Sequence, residues 1–322
     1  RIRYVGKKTL GDYFTQETTN INQIETYFRK MINAHQTVLT GIMKLNNANI
    51  MHFDMKENNI IWRNKSGRPI IIDYGISVDT TNIASVEYDA RNVFFAYTDT
   101  YPSWCLDIAM ITYMVNNSKN ADIKQKRMNA WRDEKASVES ATKVISDYME
   151  KNQGMIDLLT KEEQEKYTVA MNAYYTPLVE GGMMNIPTWG SVYDEIIKNH
   201  KSWDNYGVAI TFMFLLNDLK LEKKVEEIPF MKEYMNIMKK IVLSVPDKRP
   251  SAEETLTEMQ TILSNIGRIE KEEMRKVLTP DFRNPQNIKD RRKKMANVKT
   301  GSIKRTLELN KKKKQMKRVN EQ

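Results

Sequence analysis

Apolar residues return at steps of three and four from Ile21 to about Leu45, at Ile24, Tyr27, Phe28, Met31, Val38, Ile42 and Leu45. That spacing sets one face of a helix against a core and predicts a long helix there. Two short hydrophobic runs follow, Asn59–Trp62 and Pro69–Ile72, split by Asn64-Lys65-Ser66-Gly67. The tetrapeptide carries turn chemistry, so the pair reads as a β-hairpin. Further helices are expected at 105–116, 204–219, 228–244 and 251–266. The last opens on Pro250-Ser251-Ala252-Glu253-Glu254, where Ser251 can cap and the acidic residues suit the positive helix end. The charged stretch 117–200 reads as helix-rich, with Trp131, Tyr148, Tyr167, Tyr174, Tyr175 and Trp189 to pack it onto the body. The expected fold class is therefore mainly α, with a small β-hairpin and a helical insertion.

Composition narrows this picture. The 322 residues are 40% hydrophobic and 29% charged, which supplies a core for one large or two small domains and excludes disorder throughout. The longest apolar stretch, Val208–Leu216 with Thr211 inside it, is too short to span a bilayer. Cys105 is the only cysteine, which rules out an internal disulfide framework and a cysteine zinc cluster and fits an intracellular, reducing compartment, cytoplasmic or nuclear. The chain opens at Arg1 without an apolar leader, as expected of a fragment or a processed product.

Charge divides the chain unevenly. Of the net +10, residues 289–322 hold fourteen Lys/Arg against three acidic residues, which leaves the rest near neutral. This tail is poor in aliphatic and aromatic residues and reads as a solvated arm. Its clusters Lys289–Lys294 and Lys311–Arg318 could bind nucleic acid or another polyanion by counterion release, without base specificity because no aromatic lies between them.

The candidate chemistry centres on two acidic residues, Asp54 in His52-Phe53-Asp54-Met55-Lys56-Glu57-Asn58-Asn59 and Asp73 in Ile70-Ile71-Ile72-Asp73-Tyr74-Gly75. Phosphoryl transfer needs a carboxylate near the acceptor hydroxyl, oxygen ligands for Mg²⁺ and a cation for the moving phosphate, and this loop and hairpin offer all three. The first segment resembles the H-R-D-x-x-x-x-N loop of eukaryotic-type serine/threonine protein kinases, and the second resembles their D-F-G motif. The resemblance implies that Asp54 orients or deprotonates the substrate hydroxyl, that Lys56 touches the transferred phosphate, and that Asn59 and Asp73 hold Mg²⁺. It further implies that the backbone of Tyr4, Val5 and Gly6 lies against the adenine of ATP, since Ile2–Gly6 and Thr9–Phe14 look like a hinge strand and the first helix of a C-terminal lobe. Trp203-Asp204-Asn205-Tyr206-Gly207 resembles the family's buried core helix, whose Asp ties down the catalytic loop. Pro246-Asp247-Lys248-Arg249-Pro250 resembles the segment carrying its structural Arg.

On this reading 1–116 is the hinge, catalytic loop, metal-binding loop and activation segment, 117–200 the insertion, 201–280 the core and terminal helices, and 281–322 the basic tail. Departures matter as well. Phe53 replaces the Arg before the catalytic Asp, so the clamp on a phosphorylated activation loop is missing. No Ala-Pro-Glu is found before Tyr101-Pro102-Ser103-Trp104, so the acidic partner of Arg249 has no name. Asp107 competes with Asp204 for the core-helix role, and the distance of Asp204 from Arg249 favours Asp204. No G-x-G-x-x-G and no V-A-I-K-like strand occurs, so the N-lobe is expected outside this chain.

Blander roles are expected elsewhere: His52 as a packed residue, Cys105 buried beside Trp104, and Met231, Met235 and Met238 as packing faces. Richness in Asn, Ile and Lys fits an AT-rich genome, and with the divergent motifs the chain is similar to kinases of large DNA viruses, which would allow a virion-associated location. Two functions compete. One is an active serine/threonine kinase lobe with protein substrates. The other is a kinase-derived pseudokinase or scaffold.

Overall fold

The computed structural model describes residues 8–17, 24–63, 67–96, 98–117, 129–181, 187–218 and 229–266. The expected hinge at Tyr4, Val5 and Gly6 and the basic tail lie outside these residues. Within them the fold is mainly α, with four short strands.

The first helix, α1 (Leu10–Glu17), precedes the long α2 (Ile24–Asn47), whose apolar stripe buries Tyr27, Phe28, Met31, Val38 and Ile42. Next comes β1 (Ile50–Met51). The hairpin expected from the sequence forms as β2 (Ile60–Arg63) and β3 (Arg68–Ile71), antiparallel with Trp62 opposite Pro69. Gly67 takes φ +59 at its turn, where a side chain would be strained. A second two-stranded sheet joins β1 to β4 (Val78–Asp79). The short α3 (Ala90–Val93) and then α4 (Leu106–Asn117) follow.

The stretch at 117–200 contributes α5 (Val138–Lys151), α6 (Gln153–Leu158), α7 (Lys161–Glu180) and α8 (Trp189–Ile196). Its aromatics do pack inward: Trp131, Tyr148, Tyr167 and Tyr175 are buried in the same core as α4. The chain then enters α9 (Trp203–Asp218), apolar on all sides and buried from Trp203 to Leu216. A helix without a polar face belongs at the centre of a domain, and α2, α6 and the next described helix, α10 (Pro229–Leu243), surround α9. The three methionines of α10 face this core. Finally α11 (Ala252–Ile266) lies along α2. Its start is capped as expected, Glu254 N donating to Ser251 Oγ and Ser251 N to the Glu254 carboxylate. Among the described residues no helix is long and apolar enough to cross a membrane.

Candidate active site

The loop between β1 and β2 is held from below by α9. Asp204 accepts the His52 amide through Oδ2 at 2.7 Å and the Phe53 amide through Oδ1 at 2.9 Å. Asp204 therefore has the anchoring position, as its spacing from Arg249 suggested. Burial pushes its carboxyl above the ordinary value, the two amides pull it back, and the Asp54 charge adds to the rise. Gly207 allows the close approach of α9: a Cβ there would stand 3.0 Å from Met55 Cβ and 3.1 Å from the Ser103 carbonyl oxygen. The pull bends the backbone, and Phe53 adopts φ +65. Trp104 braces this strained residue, stacking on its ring and donating Nε1–H to its carbonyl at 2.7 Å.

Asp54, Lys56 and Asn59 meet in that loop. Lys56 Nζ lies 3.1 Å from Asp54 Oδ2, and Asn59 Nδ2 donates to the Asp54 backbone oxygen and to Oδ2, both at 2.9 Å. Both Asn59 bonds use the amide nitrogen, so its amide oxygen is the atom able to face a cation. Asp73 joins through the backbone. Ile72 N donates to the Asn59 carbonyl at 2.9 Å, which fixes the start of the 73–75 turn beside the loop. Asp73 is exposed and holds φ +63. Among the described residues only Asn49, Phe53 and Asp73 are non-glycines with positive φ. Two of the three stand at the candidate acids, and retained strain of this kind gathers at functional sites.

His52 has the structural role expected of it. Its Nδ1 accepts the Asp54 amide, which puts the ring proton on Nε2, and that proton is donated to the Ile72 carbonyl at 2.9 Å. One buried imidazole thus couples the two acidic segments.

Sequence reasoning missed two residues. Tyr101, wholly buried, donates its hydroxyl to Asp54 Oδ1 at 2.6 Å. Burial first, and then the Asp54 charge, hold this phenol well above its usual pKa, so it stays a neutral donor. Asn152 in turn donates to the Tyr101 carbonyl, and Tyr148 to that of Trp104, so the 117–200 helices brace the segment over Asp54. Asp107 is the unnamed partner of Arg249: the two form a paired contact at 2.9 and 3.0 Å with both side chains fully buried. Trp203 Nε1 donates to the same carboxylate. A signal existed in the Cys105-Leu106-Asp107 run, but its aspartate was weighed for another role. Cys105 is buried as expected, its thiol pushed up to about 12 chiefly by burial and then by Asp107.

Among the described residues no group of three or more His, Cys, Asp or Glu is arranged to hold a metal ion. Asn59 and Asp73 offer one amide oxygen and one carboxylate, the small protein share Mg²⁺ takes when phosphates and waters complete its octahedron. No family model, curated protein or solved structure matches the chain. The geometry of the site carries the functional argument.

Proposed function

We propose that this chain is the helical lobe of a serine/threonine-type protein kinase, transferring the ATP γ-phosphate to hydroxyls of protein substrates. One observation carries the reading: Lys56 and Asn59 grip the Asp54 carboxylate, while the Asn59 carbonyl binds the residue before Asp73. An acid, a cation and a pair of oxygen ligands thus come from one loop and one strand end, as phosphoryl transfer requires. In this reading Asp54 orients the acceptor hydroxyl and takes its proton as oxygen bonds to phosphorus and the bond to ADP breaks. Lys56 offsets charge on the moving group. The Asn59 amide oxygen and Asp73 would hold Mg²⁺, which with ATP supplies the phosphoryl group and neutralises its charge. Asp204 positions the loop, and Asp107 stands in for the missing glutamate opposite Arg249.

A second reading, a scaffold without transfer, is favoured by one contact. Tyr101 occupies the Asp54 oxygen that an acceptor hydroxyl would approach. The deciding experiment measures transfer from γ-labelled ATP to a mixed protein acceptor, with a nucleotide-binding N-lobe supplied. Asp54→Asn is expected to lower the rate by about 100-fold or more, and Tyr101→Phe to raise it severalfold by freeing Oδ1. Equal rates in the wild type and Asp54→Asn would leave the scaffold reading standing.

A further inference from the structure

A cleft of about 460 Å³ lies away from this site, between α2, the turn end of the β2–β3 hairpin and α11. Among the described residues its lining includes two cations, Lys30 and Arg68, and no aspartate or glutamate. Arg68 is exposed and makes no side-chain hydrogen bond or ion pair with another described residue. Gln36 Nε2 is buried there without a partner. The neighbouring hydroxyls of Thr37 and Thr40 already donate to the carbonyls of Asn33 and Gln36.

Shape narrows the ligand. Lys30 Nζ stands over the Tyr13 ring, Tyr13 stacks on Trp62, and Trp62 is paired with Pro69, so both cations sit at the hairpin end. Along α2 the lining runs from Lys30 to Thr40, about 15 Å of helix, which matches four or five residues of extended chain at about 3.3 Å each. Trp62, Pro69 and Leu256 add apolar surface. A lone phosphate would use the cationic end and leave the remainder idle.

We infer that this cleft docks an extended acidic segment of a partner protein, with a carboxylate on Arg68 at the cationic end and apolar side chains along Trp62, Pro69 and Leu256. The inference stands whether or not the chain transfers phosphate. The hairpin connects the two places, because β2 begins beside Asn59 and β3 ends two residues before Asp73.

The probe is a labelled hexapeptide alternating leucine and glutamate and carrying a photoreactive group, titrated against the full chain by fluorescence anisotropy. Arg68→Glu reverses an exposed, unpartnered charge, so the fold is retained, which circular dichroism checks. It is expected to weaken binding about tenfold or more, while Lys198→Glu, on an exposed ion pair outside the cleft lining, leaves it unchanged. Crosslinks are expected on α2, the hairpin and α11, and the glutamine version of the peptide is expected not to bind. Equal affinity for Arg68→Glu would overturn the inference, as would crosslinks confined to the basic residues 289–322. Complete displacement by millimolar phosphate, with no dependence on peptide length, would overturn it in favour of a small-anion site.

Discussion

Replacing Asp204 with alanine removes the common acceptor of two adjacent amides, His52 N at 2.7 Å and Phe53 N at 2.9 Å. His52 and Phe53 are buried, so water cannot take the vacated place without opening the core. An orphaned buried donor costs about 1–3 kcal/mol, and more where the lost acceptor was charged, so the pair accounts for about 3–5 kcal/mol. Two effects oppose the loss. The burial that raises the Asp204 carboxyl ceases to matter once it is gone, and Phe53 can relax from φ +65, a strain of order 1 kcal/mol. The net is about 2–3 kcal/mol, which lowers the melting temperature by about 2–4 °C per kcal/mol in a domain of this size. Asp204→Asn keeps one acceptor oxygen and turns an amino group toward the second amide, so about half of that loss is expected. The assay pairs thermal unfolding with hydrogen exchange at single amides. His52 and Phe53 should lose more protection in Asp204→Ala than the global change explains. Unchanged protection at both, with an unchanged melting temperature, would refute the anchoring role.

Asp107→Asn leaves the Arg249 side chain buried without its counter-charge, and urea unfolding should report a loss of about 3–5 kcal/mol. Joint replacement, Asp107→Leu with Arg249→Met, is expected to recover most of it; equal losses in the single and double variants would show that packing rather than charge sets the cost. Burial holds His35 at about 3 against an ordinary 6.5, its ring stacked on Phe212 and Nδ1 bonded to Tyr234. Because the folded pKa is depressed, its stabilisation is whole above pH 6.5 and is lost as pH falls from there toward 3. Linkage gives a loss of about 2 kcal/mol between pH 7 and 5. Unfolding midpoints at the two pH values should show that loss in the wild type and little of it in His35→Gln, and equal slopes would refute the assignment.

Where the sequence was legible, local chemistry and burial agreed. The stripe of α2, the all-apolar α9 and the turn at Gly67 each carry their structure within a short window, and the observed bounds lie within about three residues of those expected. The β1–β4 pair was not legible, because two residues per strand have no periodicity and depend on tertiary placement. In the site, Asp54, Lys56 and Asn59 meet because they share one turn of chain. The Tyr101 contact spans 47 residues, and nothing local distinguishes a tyrosine that will be buried against a carboxylate from one that packs alone. Asp107 was weighed in the sequence only as a competitor of Asp204, and its pairing became plain only when α4 and the Arg249 segment stood together.

The anchor of the acidic loop also sets a timetable. His52 and Asp204 are 152 residues apart in the chain. At about 5–20 residues per second, a ribosome needs about 8–30 s to make the second after the first. Throughout that interval Asp54 has left the decoding centre while the carboxylate that will hold its loop does not yet exist. The 117–200 helices, which bind the carbonyls of Tyr101 and Trp104, are made within the same delay. A translation pause before residue 204 would therefore present chaperones with an untethered acidic loop, and the site would be completed only after most of the body had been synthesised.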